Sequence, residues 1–211
     1  MKLSVYLFHY SLMLVRKLIP LVLILLFTNG YSELKDDEWG TEELFDDIVV
    51  VSVNGKITHG DRYRLFFHHT STEKCNLPQS YISFYSVAGN AKEKFEDLPS
   101  KSILTEINQS QKFLTQVVDI SDFIAGMRAL LYVGINSVEQ LIEHHKDNDE
   151  IKIELLAFYD QEDERILPVD IEEYFDIPRN TWSLNGFEEA VGAGKAECLS
   201  RVSSSNKEIK F

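Results

Sequence analysis

The side chains in this 211-residue chain best suited to covalent chemistry are its two cysteines, Cys75 and Cys198. An even count in an oxidising compartment favours one disulfide, and two separate buried thiols are the alternative. The cations come next. The chain carries 21 Lys and Arg against 34 Asp and Glu, a net charge of −13. Yet Lys56, Arg62, Arg64 and Lys74 fall close together, with His59, His68 and His69 among them. Arg62 and Arg64 stand two apart and share one face of a strand. Read as function, Arg62, Arg64, His68 and Lys74 form a docking patch for an anionic ligand or a protein partner. Read as structure, they pair across strands with the chain's own acids.

The remaining groupings do not assemble a catalytic set. Asp160, Glu162 and Glu164 alternate in a turn and could hold Ca²⁺, but Arg165 stands where an EF-hand requires glycine, so a solvated hairpin tip is expected. His68-His69 and His144-His145 are adjacent pairs, and neighbours on a strand point to opposite faces, which denies both to one metal. Gly192-Ala193-Gly194-Lys195 has the look of a phosphate loop, but Lys195 is followed by Ala196 and Glu189 fills the upstream glycine position, so a helix tail is expected. The G-x-S-x-G, H-E-x-x-H and G-x-G-x-x-G patterns are missing from the sequence. The expectation is a protein that is not an enzyme, with no catalytic residue, metal or cofactor.

The compartment is read from the first residues. Residues 1–32 hold no acid and only Lys2, Arg16 and Lys17 as bases. An apolar run, Leu18 to Phe27, follows the basic pair, and Gly30 and Ser32 provide small residues for a cut after Ser32. That order describes a signal peptide over 1–32. The apolar run is short for a membrane span, which needs about 20 residues. The alternative is an uncut leader acting as an anchor. Met13 would begin a more compact leader, so Met1 and Met13 both remain as starts. No cysteine lies in this stretch to carry a lipid. Residues 33–211 keep 18 of the 21 bases and all 34 acids. A body so acidic is a poor general binder of nucleic acid or anionic lipid, whose phosphates need Lys and Arg.

The elements that must position these residues follow from pattern. Residues 33–47 read as a solvated acidic lead-in that docks one aromatic. Ile48–Val53 is β-branched and runs into Asn54-Gly55, the strongest short hairpin signal. Tyr63–His68 and Tyr81–Val87 alternate as half-buried strands, with Cys75-Asn76-Leu77-Pro78 as the turn between them. Residues 88–101 read as a long loop. Ile103–Ile107, Phe113–Ile120, Glu150–Tyr159 and Arg165–Val169 add strands, and Arg128–Val133 fits a further strand or Ser121–Leu131 a short helix. Ser137 caps a helix to His145. Thr181–Leu184 is a last strand, and Asn185 with Glu188 can cap a helix carrying Phe187, Ala190, Val191, Gly194 and Cys198 on one face. The total is a mainly β single domain over 48–199, a β-sandwich or small barrel with one or two short helices, followed by a loose polar tail over 200–211.

The stretch Thr181-Trp182-Ser183-Leu184-Asn185-Gly186-Phe187-Glu188-Glu189-Ala190-Val191, ending at Cys198, resembles the strand, Leu-x-Gly-Phe, helix ending of invasion-associated locus B proteins. Its Cys-terminated helix also resembles that of periplasmic accessory proteins of type VI secretion, and the strand from Gly60 to Cys75 is similar to the strand-then-Cys segment of the same family. The resemblance implies a bacterial exported β-rich domain that acts by binding, in host interaction or beside a secretion system. The function expected is that of a periplasmic or secreted, non-enzymatic binding or accessory protein, with an unidentified protein or small ligand as partner and no membrane contact after leader cleavage. The rivals are a small exported hydrolase, an inhibitor of one, and a membrane-anchored structural protein.

If Cys75 and Cys198 join, the terminal helix is clamped onto the sheet and the apolar face of Phe187, Ala190 and Val191 is shielded from solvent.

Overall fold

A computed structural model describes residues 37–45, 48–58, 60–96 and 102–208. The expected signal segment, the lead-in up to residue 36 and His59 lie outside the described residues. Ten strands form one antiparallel sheet: β1 (Gly40–Phe45), β2 (Ile48–Asn54), β3 (Arg62–His68), β4 (Gln79–Ser86), β5 (Ser102–Ile107), β6 (Gln111–Phe123), β7 (Gly126–Ile135), β8 (Glu150–Asp160), β9 (Arg165–Ile166) and β10 (Arg179–Ser183). Their order across the sheet is β1-β2-β3-β4-β7-β6-β5-β8-β10, with β9 on β8. Among the described residues four α-helices accompany them: α1 (Thr72–Asn76), α2 (Ala91–Glu96), α3 (Val138–His145) and α4 (Phe187–Glu208).

The sheet curls back on itself. Gly55, just past β2, forms a bridge with Trp182 of β10, and the Lys56 N–H donates to the Thr181 carbonyl at 2.8 Å. The Trp39 indole N–H donates to the Ser183 carbonyl at 2.7 Å. Among the described residues there is no second sheet, so the architecture is a barrel closed by a few bonds rather than a sandwich. Curling lets aromatic residues from distant strands meet inside. Trp182 stands edge-on to Phe84 at 5.9 Å and to Tyr63 at 6.3 Å. Trp39 stands edge-on to Tyr63 and Phe187 at 5.6 and 4.9 Å. Such pairs contribute about 0.5–1.5 kcal/mol each beyond area burial.

The spacing of Phe187, Val191, Gly194, Cys198 and Val202 puts one stripe of α4 into this core, and all five are buried. Gly194 makes the contact close: a Cβ there would lie 2.6 Å from Val51 Cγ2 and 3.0 Å from Phe67 Cε2. Cys198 is bonded to Cys75 on α1, across a sequence separation of 123. This disulfide pins the terminal helix to the segment that follows β3.

Several sequence expectations change. The acidic lead-in does dock one aromatic, Trp39, but it also supplies the edge strand β1. Asn54-Gly55 is not a two-residue hairpin turn. Residues 55–61 separate β2 from β3, and Gly55 is required for space, because a Cβ there would lie 2.3 Å from Asn180 Nδ2. The loop over 88–101 contains α2, which buries Ala91 and Phe95. Arg128–Val133 is strand, inside β7, and the alternative helix over 121–131 does not form, because the chain reverses at Ile124-Ala125 between β6 and β7. The polar tail is helical to Glu208, so α4 is a single helix of 22 residues rather than a short one. Ser203 and Ser204 return their hydroxyls to the carbonyls of Leu199 and Ser200, which lets serines sit inside a helix. Gly186, at φ 74°, turns the chain into α4, and the Asn185 N–H donates to Ser183 Oγ at 3.2 Å instead of taking part in a cap with Glu188. The capping of α3 holds: Ser137 Oγ accepts from the Gln140 N–H at 3.2 Å, and Gln140 Oε1 accepts from the Ser137 N–H at 2.9 Å.

Candidate binding face

Strand alternation divides β3 into two functions. Tyr63, Leu65 and Phe67 face the core, while Arg62, Arg64, Phe66 and His68 face away from α4. Register brings Arg64 opposite Tyr81 and Ser52, and Arg62 opposite Ser83 and Asn54. Glu42 of the edge strand is the carboxylate at the centre. Arg62 Nη1 lies 2.9 Å from Glu42 Oε1 and Arg64 Nε lies 3.5 Å from Glu42 Oε2. Ser52 Oγ also donates to Glu42, and Arg64 Nη1 donates to Ser83 Oγ at 3.1 Å. Both Arg64 and Glu42 are 8 % exposed in their side chains, against 35 % for Arg62. Burial lowers the basicity of Arg64, Glu42 restores part of it, and the charges of Arg62 and Arg128 lower it further.

An aromatic ridge borders the ion cluster. Phe66 stands 4.7 Å from Tyr81, and Tyr81 stands 5.4 Å from Tyr132. The Tyr81 hydroxyl donates to Gln79 Oε1 at 2.9 Å, and His68 Nε2 lies 3.1 Å from the same oxygen. Arg128 of β7 belongs to this face through its register with Tyr85. Its guanidinium lies 5.2 Å from the Phe123 ring centre, and it makes no carboxylate pair among the described residues.

Of the expected patch, Arg62 and Arg64 come together on one carboxylate, and His68 lies on the same face at the far end of β3. Lys74 does not join them. It sits exposed on α1, because the segment after β3 turns helical to bring Cys75 to Cys198. Lys56 pairs instead with Glu150, at 2.9 Å. Sequence reasoning missed Glu42, whose strand was hidden by its acids, and Arg128, which lies 64 positions after Arg64. The signal for both was register: only pairing of β1 with β2 and of β4 with β7 puts them beside Arg64.

The other groupings have structural roles. Asp160 Oδ1 accepts from the N–H groups of Glu162 and Asp163 at 3.0 and 3.3 Å, so the acidic turn uses its own first carboxylate. Gly192 to Lys195 lies within α4, and Lys195 Nζ reaches Asn76 Oδ1 at 2.5 Å and Glu139 Oε1 at 3.0 Å. His145 stands edge-on to Phe187 at 5.2 Å. Burial, with the neighbouring His144, lowers its pKa to about 4.

The fold and this face define a partly closed antiparallel barrel with an arginine-rich outer wall. Comparison with known proteins adds no relative: no family model, no curated protein and no solved structure matches the chain.

Proposed function

We propose that this chain is an exported, non-enzymatic binding or accessory protein, periplasmic or secreted, that docks an anionic partner on the outer wall of its barrel. One observation carries the reading. Arg62, Arg64 and Arg128 share that wall around one carboxylate among the described side chains, Glu42, in a chain whose net charge is −13. Guanidinium groups present a planar fork suited to carboxylate, sulfate or phosphate oxygens. The ridge of Phe66, Tyr81 and Tyr132 adds amphipathic area beside them. The disulfide suits an oxidising compartment, which supports export. Among the described residues no helix is long and apolar enough to cross a membrane.

The test uses two defined probes at low salt, a short polyglutamate peptide and a sulfated oligosaccharide, followed by calorimetry and amide chemical shifts. At least one probe binds, with shifts on β3, β4 and β7, and the Arg62→Ala, Arg128→Ala double variant loses binding without a change in melting temperature. No binding of either probe, or equal binding by the variant, refutes the docking wall. Turnover by the pure protein in a broad hydrolase panel, abolished by a single Asp or Glu substitution, refutes the non-enzymatic assignment.

A further inference from the structure

The place where the sheet closes is held by a carboxylate that has no cation among the described residues. Asp61 is fully buried. Its Oδ1 accepts from the Tyr85 N–H of β4 at 2.6 Å, and its Oδ2 accepts from Asn180 Nδ2 of β10 at 2.7 Å. Its carbonyl accepts from the Gly55 N–H at 2.9 Å, and its own N–H donates to the Thr58 carbonyl at 3.0 Å. One residue thus touches the end of β2, the β2–β3 connection, β4 and β10.

Asn180 cannot turn to accommodate a change at Asp61. Its Oδ1 accepts from the N–H groups of Ile57 and Thr181 at 2.9 and 2.7 Å, and its Nδ2 also donates to the Thr58 carbonyl at 3.2 Å. A flipped amide would set oxygen against oxygen and nitrogen against nitrogen.

We propose that Asp61 is a proton-operated latch: when it is protonated the closure between the β2–β3 connection and β10 is tight, and when it is ionised that closure loosens while the rest of the sheet stays formed. The physical reason is desolvation. An ionised carboxylate sealed from water needs a counter-charge, and two amide donors replace only part of its hydration. Among the described residues each packed element withholds a cation: in the β2–β3 connection Lys56 pairs with Glu150, and His59 lies outside the described residues. β4 offers a backbone N–H, with the Tyr85 ring turned to Phe123 at 5.4 Å. β10 offers an amide. The approach to β10 offers Asp176, another acid, whose charge opposes ionisation. Arg62, next in sequence, is spent on Glu42 at the opposite face of β3. Burial raises the Asp61 pKa to about 7, against the Tyr85 and Asn180 donors, which lower it, and with the smaller help of the Asp176 charge. Thr58 Oγ1, in the same turn, is buried with no partner and so adds no donor to the carboxylate.

The linkage has a definite sign. The closed state holds the proton up to about pH 7, whereas an opened seam returns Asp61 to its ordinary value near 3.8. The opening equilibrium therefore rises about tenfold per pH unit between pH 5 and 7 and levels off above. The latch tightens in mildly acidic surroundings and slackens at neutral and alkaline pH.

Hydrogen exchange of the intact protein reads this directly. After correction for intrinsic rates, exchange of the Gly55, Lys56, Ile57 and Thr181 amides rises about tenfold per unit from pH 5 to 7, while amides of the β5–β6 ladder do not follow. In Asp61→Asn the profile is flat. Flat seam exchange in the native chain, or β5–β6 amides rising in step with the seam, overturns the latch. Should Asp61→Asn fail to fold, carboxyl-carbon titration of the native protein decides: a midpoint for Asp61 near pH 7 supports the latch, and one in the ordinary carboxylate range overturns it.

Discussion

The barrel is fastened in two places by opposite means. At the clamp, α4 lays an apolar stripe on Val51 and Phe67 and is bonded through Cys198 to Cys75. At the seam, β10 reaches the end of β2 through one bridge, one asparagine and one aspartate. The clamp is apolar and covalent, so neither its disulfide nor its stripe carries a charge, and acid reaches it only through His145 against Phe187. The seam is polar and tight, and a single charge acts on it. Apolar burial tolerates small misplacements; the Asn180 amide, with four bonds in fixed directions, does not. The clamp therefore supplies persistence, whereas the seam specifies where the sheet closes.

Removing the covalent link sets the largest expected difference. Cys75→Ser and Cys198→Ser should each cost about 2–4 kcal/mol, equally and without pH dependence, and the double variant should be no worse than either single one. Thermal melts of the three decide, with thiol counting on denatured protein. Strictly additive losses would mean that the two sulfurs act as separate core groups.

Glycine substitutions compare the same two places by packing alone. Gly55→Ala puts a Cβ against Asn180 and should cost about 1–3 kcal/mol. Gly194→Ala meets Val51 and Phe67, but gains roughly 1 kcal/mol of helix propensity, so its net loss should be smaller. Urea midpoints that reverse this order would make the clamp the tighter contact.

Proton dependence separates the two further. The raised pKa of Asp61 means that stability falls as pH rises from about 4 to about 7. His145 packs on Phe187 of α4, and its lowered pKa acts oppositely: its contribution is complete above about 6.5 and is lost as pH falls towards 4. Denaturation against pH should therefore slope downward from 6.5 to 7, and His145→Phe should steepen the decline across 4 to 6.5. An unchanged profile in that variant would disconnect His145 from the clamp.

The smallest effect lies away from both. Ile124 is 91 % exposed and holds φ 52° at the β6–β7 reversal, a conformation that glycine adopts without strain. Ile124→Gly should raise stability by about 0.5–1 kcal/mol in the same melts. A loss would show that the exposed side chain finds a contact.

What the sequence made legible follows from the range of the forces. Alternation found β3, β4 and β8, and helical spacing found the buried stripe of α4, because a single face against a core is written locally. The Cys75–Cys198 bond was legible because only two cysteines exist to pair. The edge strand β1 was hidden since Glu42 answers to arginines on another strand. The seam was hidden since Asn180 and Asp61 are 119 positions apart, and nothing local distinguishes a buried aspartate from the many exposed ones. Of the proposed face, Arg62, Arg64 and His68 were readable from spacing; Glu42 and Arg128 required the sheet order.

The position of Cys198 also sets an order of events. If the chain is exported N-terminus first, as proposed, all ten described strands precede this cysteine. Cys75 must then wait, reduced, while 123 further positions pass. During that interval it has no wrong partner within its own chain, so an oxidase needs no isomerase to correct it, and its hazard is a second emerging copy. Closure of the disulfide reports that the whole barrel has arrived, and a cut anywhere between the two cysteines leaves the halves joined.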